Sequence, residues 1–158
     1  MSKSKVSGLH FTMMNGQVMY KCFCQEFGSA NRKLFDRIRY LDVNEMMREH
    51  HLVCFTGEHR LVGDLALEQC PYDVDLIWLK HASVDEKFRR IGIAAHLVDL
   101  CVKHLNSSKK KLEVSSYSEM GTLYLAPIIQ KAISANPDVD IIEKHLGEDG
   151  RSFGLSSF

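Results

Sequence analysis

The sequence predicts a single-domain α/β fold, with a mixed, mostly antiparallel sheet flanked by helices. Three observations lead there. Short β-prone runs recur from Leu9 to Val84 with turn residues between them. Two later stretches, after Val84 and after Tyr117, place apolar residues at helical spacing. Each of those stretches is followed by another β-prone run, so crossover helices flank runs of antiparallel strands.

The elements follow in order. Leu9 to Met14 and Gln17 to Phe23 flank Asn15-Gly16, which predicts a hairpin around a type I′ turn. From Ser29 to Tyr40, Leu34, Phe35 and Ile38 recur at helical spacing, and Ser29 is a candidate cap. Asp42 is a candidate cap for a second short helix, Val43 to Glu49. Strands are expected at His51–Phe55, at Arg60–Gln69, broken by Gly63 and stopped by Pro71, and at Asp75–Val84, the last with an unbroken apolar core, Leu76 to Leu79. Gly92 to Leu105 reads as a helix whose apolar stripe is Ala94, Leu97, Val98, Cys101 and Leu105, with Asp99 and Lys103 towards water. A strand Leu112–Tyr117 comes next, then a helix from Glu119 that Pro127 should break or kink, unless it sits in the first turn of a new helix. Asn136-Pro137 ends it, and Val139–Lys144 is the last strand. The domain is expected to span 1–158, with 147–158 a Gly/Ser-rich tail.

Composition narrows the function classes. The chain has 158 residues, 45% hydrophobic and 25% charged, as an ordinary soluble globule does. Twenty basic and twenty acidic residues cancel, unlike a dedicated nucleic-acid binder. No window reaches the roughly 18 apolar residues of a membrane span. Met1 to Lys5 is polar and lacks the apolar run of a signal peptide, so a cytoplasmic protein with no membrane partner is expected. The five cysteines are odd in number and irregularly spaced, which fits free thiols. Cys22 and Cys24 would share a face if they lay on a strand, but no second ligand pair follows, and no metal site is expected.

The chemistry concentrates after Val84. Arg89-Arg90-Ile91-Gly92-Ile93-Ala94 joins a strand to a helix, so unpaired N–H groups stand at a helix N-terminus beside two cations. Such a place binds phosphate, and Gly92 lets the backbone approach a ligand. The turn has neither the P-loop pattern nor the three spaced glycines of a dinucleotide fingerprint. No Gly-x-Ser-x-Gly nucleophile motif occurs either.

The pattern Val84, Phe88, Arg89, Gly92, Ile93 and Ala94 resembles the pyrophosphate-binding motif of the GCN5-related N-acetyltransferases. Leu61-Val62-Gly63, just past the turn Gly57 to Arg60, is similar to another of that family's strands. The resemblance covers Leu52 to Glu143. It departs in the N-terminal half, where a hairpin stands in place of one strand. It departs again near Leu123-Tyr124, where Tyr117 and Met120 replace the family's Asn and Ala and no Gly-Phe follows.

The resemblance implies an acetyl-CoA-dependent N-acetyltransferase, with acetyl-CoA as co-substrate and an amine as acceptor. It puts the pantetheine arm along Ala82, Ser83 and Val84, and the pyrophosphate on the turn Arg89 to Ala94. It makes Tyr124 the general acid that protonates the departing thiolate. Candidate bases are Glu68, His81, which replaces the family's usual Glu, and Asp64 after Gly63. Trp78, Phe35 and Tyr40 read first as core residues and only second as acceptor-pocket candidates. The acceptor is a small amine, a protein amine or an aminoacyl group, nucleic acid entering only as the tRNA carrying the last. A monomer and a homodimer both stay open. The alternative is a non-catalytic acyl-CoA-binding or regulatory domain on the same fold.

Overall fold

The computed structural model describes residues 8–37, 48–115 and 119–143. Its strands are β1 (His10–Asn15), β2 (His50–Phe55), β3 (Leu61–Gln69), β4 (Leu76–Val84), β5 (Lys111–Val114) and β6 (Ile141–Glu143). They form one mixed sheet in sequence order. β1 to β4 pair antiparallel, and β4–β5 and β5–β6 pair parallel. The helices are α1 (Gly16–Met19, continuing as a π-helical stretch Tyr20–Glu26), α2 (Gly28–Arg37), α3 (Ile93–Ser108) and α4 (Glu119–Ala135). α3 and α4 are the crossovers that make the two parallel pairs.

The predicted N-terminal hairpin is not formed. β1 is a strand, but the chain turns into α1 at Gly16. A type I′ turn needs positive φ at both central residues, whereas Asn15 is extended at φ −74°, ψ 165°. Its side-chain oxygen accepts the Val18 N–H at 2.9 Å, so Asn15 acts as a helix cap. Met19 and Phe23, four apart, are fully buried and pack with Val53 and Leu61 on one face of the sheet. Covering that face decides between the two local options. Cys22 and Cys24 therefore lie on a helical stretch, where residues two apart diverge.

Asn31 in α2 is a buried clamp. Its amide donates to Phe27 O (2.8 Å) and His59 O (3.1 Å), and its oxygen accepts from Leu61 N (2.6 Å). The helix expected over 43–49 lies, apart from Arg48 and Glu49, outside the described residues. So do the side chains of Phe35 and Tyr40 and the tail from 147.

The opposite face carries the main core. Leu65, Leu67, Ala82 and Val84 meet Ile93, Leu97, Val98 and Cys101 of α3 and Leu125 and Ile129 of α4. Asp99 and Lys103 are exposed, as the periodicity predicts. α4 runs through Pro127 as one helix, so neither the expected break nor a new helix start occurs there. Pro127 is exposed while Leu125, Ala126 and Ile129 are buried around it. The N–H that proline lacks falls on the wet side, and packing on either side holds the helix together.

Gly63 does not break β3, against expectation, because it pairs with both Cys54 and Val84; it sets instead how closely α3 lies on β3. A Cβ there would stand 2.8 Å from Ile93 Cγ2 and 3.3 Å from Leu97 Cδ1. Gly63→Ala is expected to push α3 outwards and destabilise by about 1–3 kcal/mol, lowering Tm by about 3–10 °C. Thermal unfolding followed by circular dichroism checks this.

Candidate active site

The turn between β4 and α3 is braced from both sides. Asp85 N–H donates to Val62 O at 2.8 Å. The Asp85 carboxylate accepts from Lys87 N (3.0 Å) and from Arg60 Nη2 (2.8 Å). Arg60 also lies over the Phe88 ring, 5.6 Å from its centroid. A single 3-10 turn, Glu86–Phe88, follows, and Arg89 Nε then reaches back to Val84 O at 3.0 Å. Arg90 and Gly92 both take left-handed backbone, with φ of 67° and 98°. Such φ is strained for Arg and free for Gly.

Gly92 caps α3, and His96 N–H donates to Gly92 O at 3.0 Å, closing the first turn. The N–H groups of Ile93, Ala94 and Ala95 precede that bond and have no intrahelical acceptor. They stand at a cavity of about 450 Å³ lined by Val84, Phe88, Arg89, Arg90, Gly92, Ile93, Ala94, Ala95 and Tyr124 among others. A Cβ on Gly92 would meet no atom within 4 Å, so the space before it is open. Helix dipole, N-terminal amides and two guanidinium groups give this end of the cavity a positive electrostatic character. Ile91 packs half-buried against the core.

The cavity borders the end of β4. Among the described residues β5 pairs with β4 only as far as Leu79↔Val114, while β4 continues to Val84. Ala82, Ser83 and Val84 line a narrow crevice there with Asp64, Leu97 and Leu125, too small for a water. It shares Val84 and Ala94 with the larger cavity.

The catalytic candidates fall in different places. Tyr124 lies at the cavity, its hydroxyl accepting from Arg90 Nη2 at 3.4 Å and its ring 5.8 Å from the guanidinium carbon. His81 is buried, with Nε2 3.0 Å from Asp64 Oδ2. Asp64 Oδ1 lies 2.9 Å from His51 Nδ1, and His51 Nε2 lies 3.7 Å from Glu49 Oε1. A carboxylate only accepts, so the two ring nitrogens facing Asp64 carry hydrogens. A bulge at Lys80 brings His81 to Asp64's side, because β4 pairs Leu79 with Leu67 but His81 with Ala66. Glu68 is half-buried opposite Trp78, outside this chain. Trp78 lies under the Lys80 ammonium, 5.9 Å away, rather than at the cavity.

Sequence reasoning missed His51 and Glu49. Their only signal was alternation in a short β run, and the partner across the sheet is set by register. The thiols are quiet. All five cysteines are free, and burial pushes Cys54 and Cys101 up to about 12. Among the described residues no group of three or more His, Cys, Asp or Glu is arranged to hold a metal. No described helix is long and apolar enough to cross a membrane.

Burial drives the shifts in the polar chain. It pushes Glu49 up to about 7; His51 and Lys80 pull the other way, and Asp64 and Glu68 reinforce it. It holds His81 below the ordinary histidine value, outweighing the pull of Asp64. A raised carboxyl contributes stability that is full below its unfolded value and lost as pH rises towards about 7. A depressed histidine does the reverse, losing its contribution as pH falls below about 6.5. Glu49→Gln should therefore gain on the wild-type protein as pH rises from 5 to 7.5. Tm measured across that range for both proteins checks the sign.

Known structures share this architecture. An aminoglycoside acetyltransferase from an uncultured soil metagenomic sample, crystallised with sisomicin, superposes with a TM-score of 0.53 at 15% identity, over 84% of this chain and 90% of that one. The same enzyme with trehalose gives 0.53 at 14% identity, over 78% of this chain and 86% of that one. Tetrahymena GCN5 gives 0.55 at 10% identity, over 75% and 77%. No protein-family model and no curated protein sequence matches the chain. The chain has the fold of the GCN5-related N-acetyltransferases.

Proposed function

We propose that this protein, as a single domain, is an acetyl-CoA-dependent N-acetyltransferase that moves the acetyl group directly to an amine. The observation that carries this reading is the Gly92-capped start of α3, whose free amides open on a cavity of about 450 Å³. Cavities of that size hold sizeable organic ligands. The amides of Ile93 to Ala95 hold the pyrophosphate, and Arg89 and Arg90 add charge. Ala82 to Val84 hold the pantetheine arm through backbone groups. The arm parts α4 from β4, since the crevice as it stands admits no water.

Attack on the thioester needs a neutral amine, and His81 is the base in this reading, steadied by Asp64. Tyr124 protonates the departing thiolate. Holding both reactants in one groove supplies much of the acceleration. The acceptor class stays at amine, whether of a small molecule, a protein or an aminoacyl group. A non-catalytic acyl-CoA-binding domain is the second reading. The closed crevice and the contact of Tyr124 with Arg90 favour it.

Acetyl-CoA at 100 times its dissociation constant is expected to stabilise the protein by about 2.7 kcal/mol. No rise in Tm at millimolar acetyl-CoA excludes both readings. Gly92→Glu is expected to abolish that rise, since its carboxylate would occupy the space before the amides. An undiminished rise in the variant refutes the site. Tyr124→Phe should leave coenzyme binding almost unchanged and lower kcat by about 100-fold or more. Labelled acetyl-CoA with a panel of amines measures this, and unaltered turnover removes Tyr124 from the chemistry.

A further inference from the structure

We propose that Arg60 is a positioning residue for the coenzyme: by pairing with Asp85 it neutralises a carboxylate built into the β4–α3 turn, which would otherwise oppose a diphosphate at the start of α3. The inference rests on the acetyltransferase reading and adds to it a residue behind the cavity wall. Arg60 is not among the residues that line the cavity.

Asp85 is both needed and unwelcome. Its Oδ1 accepts from Lys87 N at 3.0 Å and so caps the 3-10 turn Glu86–Phe88. Its main chain is pinned as well, the N–H donating to Val62 O and the carbonyl accepting from Phe88 N, both at 2.8 Å. Yet a carboxylate here stands in the turn that would receive a doubly anionic group, and the next residue, Glu86, lines the cavity. Asp85 is only 8% exposed, so water screens its charge poorly.

Arg60 meets this need from β3's side of the turn. Its Nη2 donates to Asp85 Oδ2 at 2.8 Å, a charge-assisted bond that leaves Oδ1 to the cap. The same guanidinium lies over the Phe88 ring, 5.6 Å from its centroid, and Phe88 lines the cavity. One side chain thus touches the cap of the 3-10 turn and its last residue. An ion pair exposed on both sides is worth little. In this one the arginine side chain is 39% exposed but the aspartate only 11%, and loss of the partner of a buried carboxylate is costly.

The backbone around Arg60 is fixed to the same end. Asn31 of α2 grips the residues on either side of it, donating to His59 O at 3.1 Å and accepting from Leu61 N at 2.6 Å. Arg60 N–H donates to Thr56 Oγ1 at 3.2 Å, and Arg60 O accepts from Thr56 N at 2.9 Å. His59 holds a left-handed φ of 63°, which a non-glycine residue keeps only where its surroundings enforce it. The side chain of Arg60 therefore leaves from a rigid corner.

Calorimetric titration of the full chain with acetyl-CoA tests the role. Arg60→Ala is expected to weaken binding about 10-fold, the order of effect of one unneutralised charge near a ligand in a partly buried site. Arg60→Lys, which keeps the charge, should lose less than about 3-fold. Adding Asp85→Asn to Arg60→Ala should recover most of the affinity, because the amide oxygen can still cap the turn and the charge is gone. A bridge that only holds the turn in shape predicts the opposite, a double variant as weak as Arg60→Ala or weaker, and that result overturns the proposal. So does unchanged affinity in Arg60→Ala. Should the variants lacking Arg60 not fold, Asp85→Asn alone decides: affinity equal to or above that of the wild-type protein supports the charge role, and weaker affinity overturns it. A wild-type protein that does not bind acetyl-CoA removes the acetyltransferase reading and this inference with it, whereas affinities that fail to follow charge remove Arg60's role alone.

Discussion

The close seating of α3 on β3 at Gly63 underlies both the core and the site. The absence of a side chain there lets Ile93, the first residue of α3, press directly on the sheet. That contact anchors the helix at its N-terminal end, where the free amides are. The brace from Arg60 through Asp85 holds the turn from the other side. A row of backbone amides is only as well aimed as the backbone that carries it. Here the apolar packing that stabilises the domain also aims its polar groups.

The two faces of the sheet do different work. The α3–α4 face is a continuous apolar core that ends at the cavity. The α1 face combines a small apolar cluster with the polar chain from His81 to Glu49. Between them, among the described residues, β4 runs on past its last β5 partner, so its final residues pair with β3 alone. The bulge at Lys80 lies at the start of that stretch and turns His81 towards Asp64. Parity along a strand is strict, so one extra residue moves a side chain from one face to the other.

Local rules failed where two of them competed. Asn15-Gly16 fits a hairpin turn and a helix start equally well by residue type. The apolar residues after it, Met19 and Phe23, suit either period over so short a span. The sheet decided, because Val53 and Leu61 needed covering. The expected break at Pro127 failed in the same way. A proline rule speaks of the backbone alone, and the buried Leu125 and Ile129 outweighed it. The polar chain was half legible. His81 and Asp64 stood out as ionisable residues in apolar runs, but that they meet, and that His51 and Glu49 join them, depends on strand register.

The sequence by itself determined the order of strands and helices from His51 onwards, the apolar stripe of α3, and the strand–turn–helix connection at Arg89 to Ala94. Each of those is written in residues that are neighbours along the chain, where spacing maps directly to a face or a dihedral angle. Tertiary structure alone decided that Asn15 caps a helix, that Gly63 admits α3, that Tyr124 meets Arg90, and that four ionisable groups line up across three strands. Those facts join residues 13 to 34 positions apart or depend on a surface to be covered. No local preference encodes a distance across a sheet.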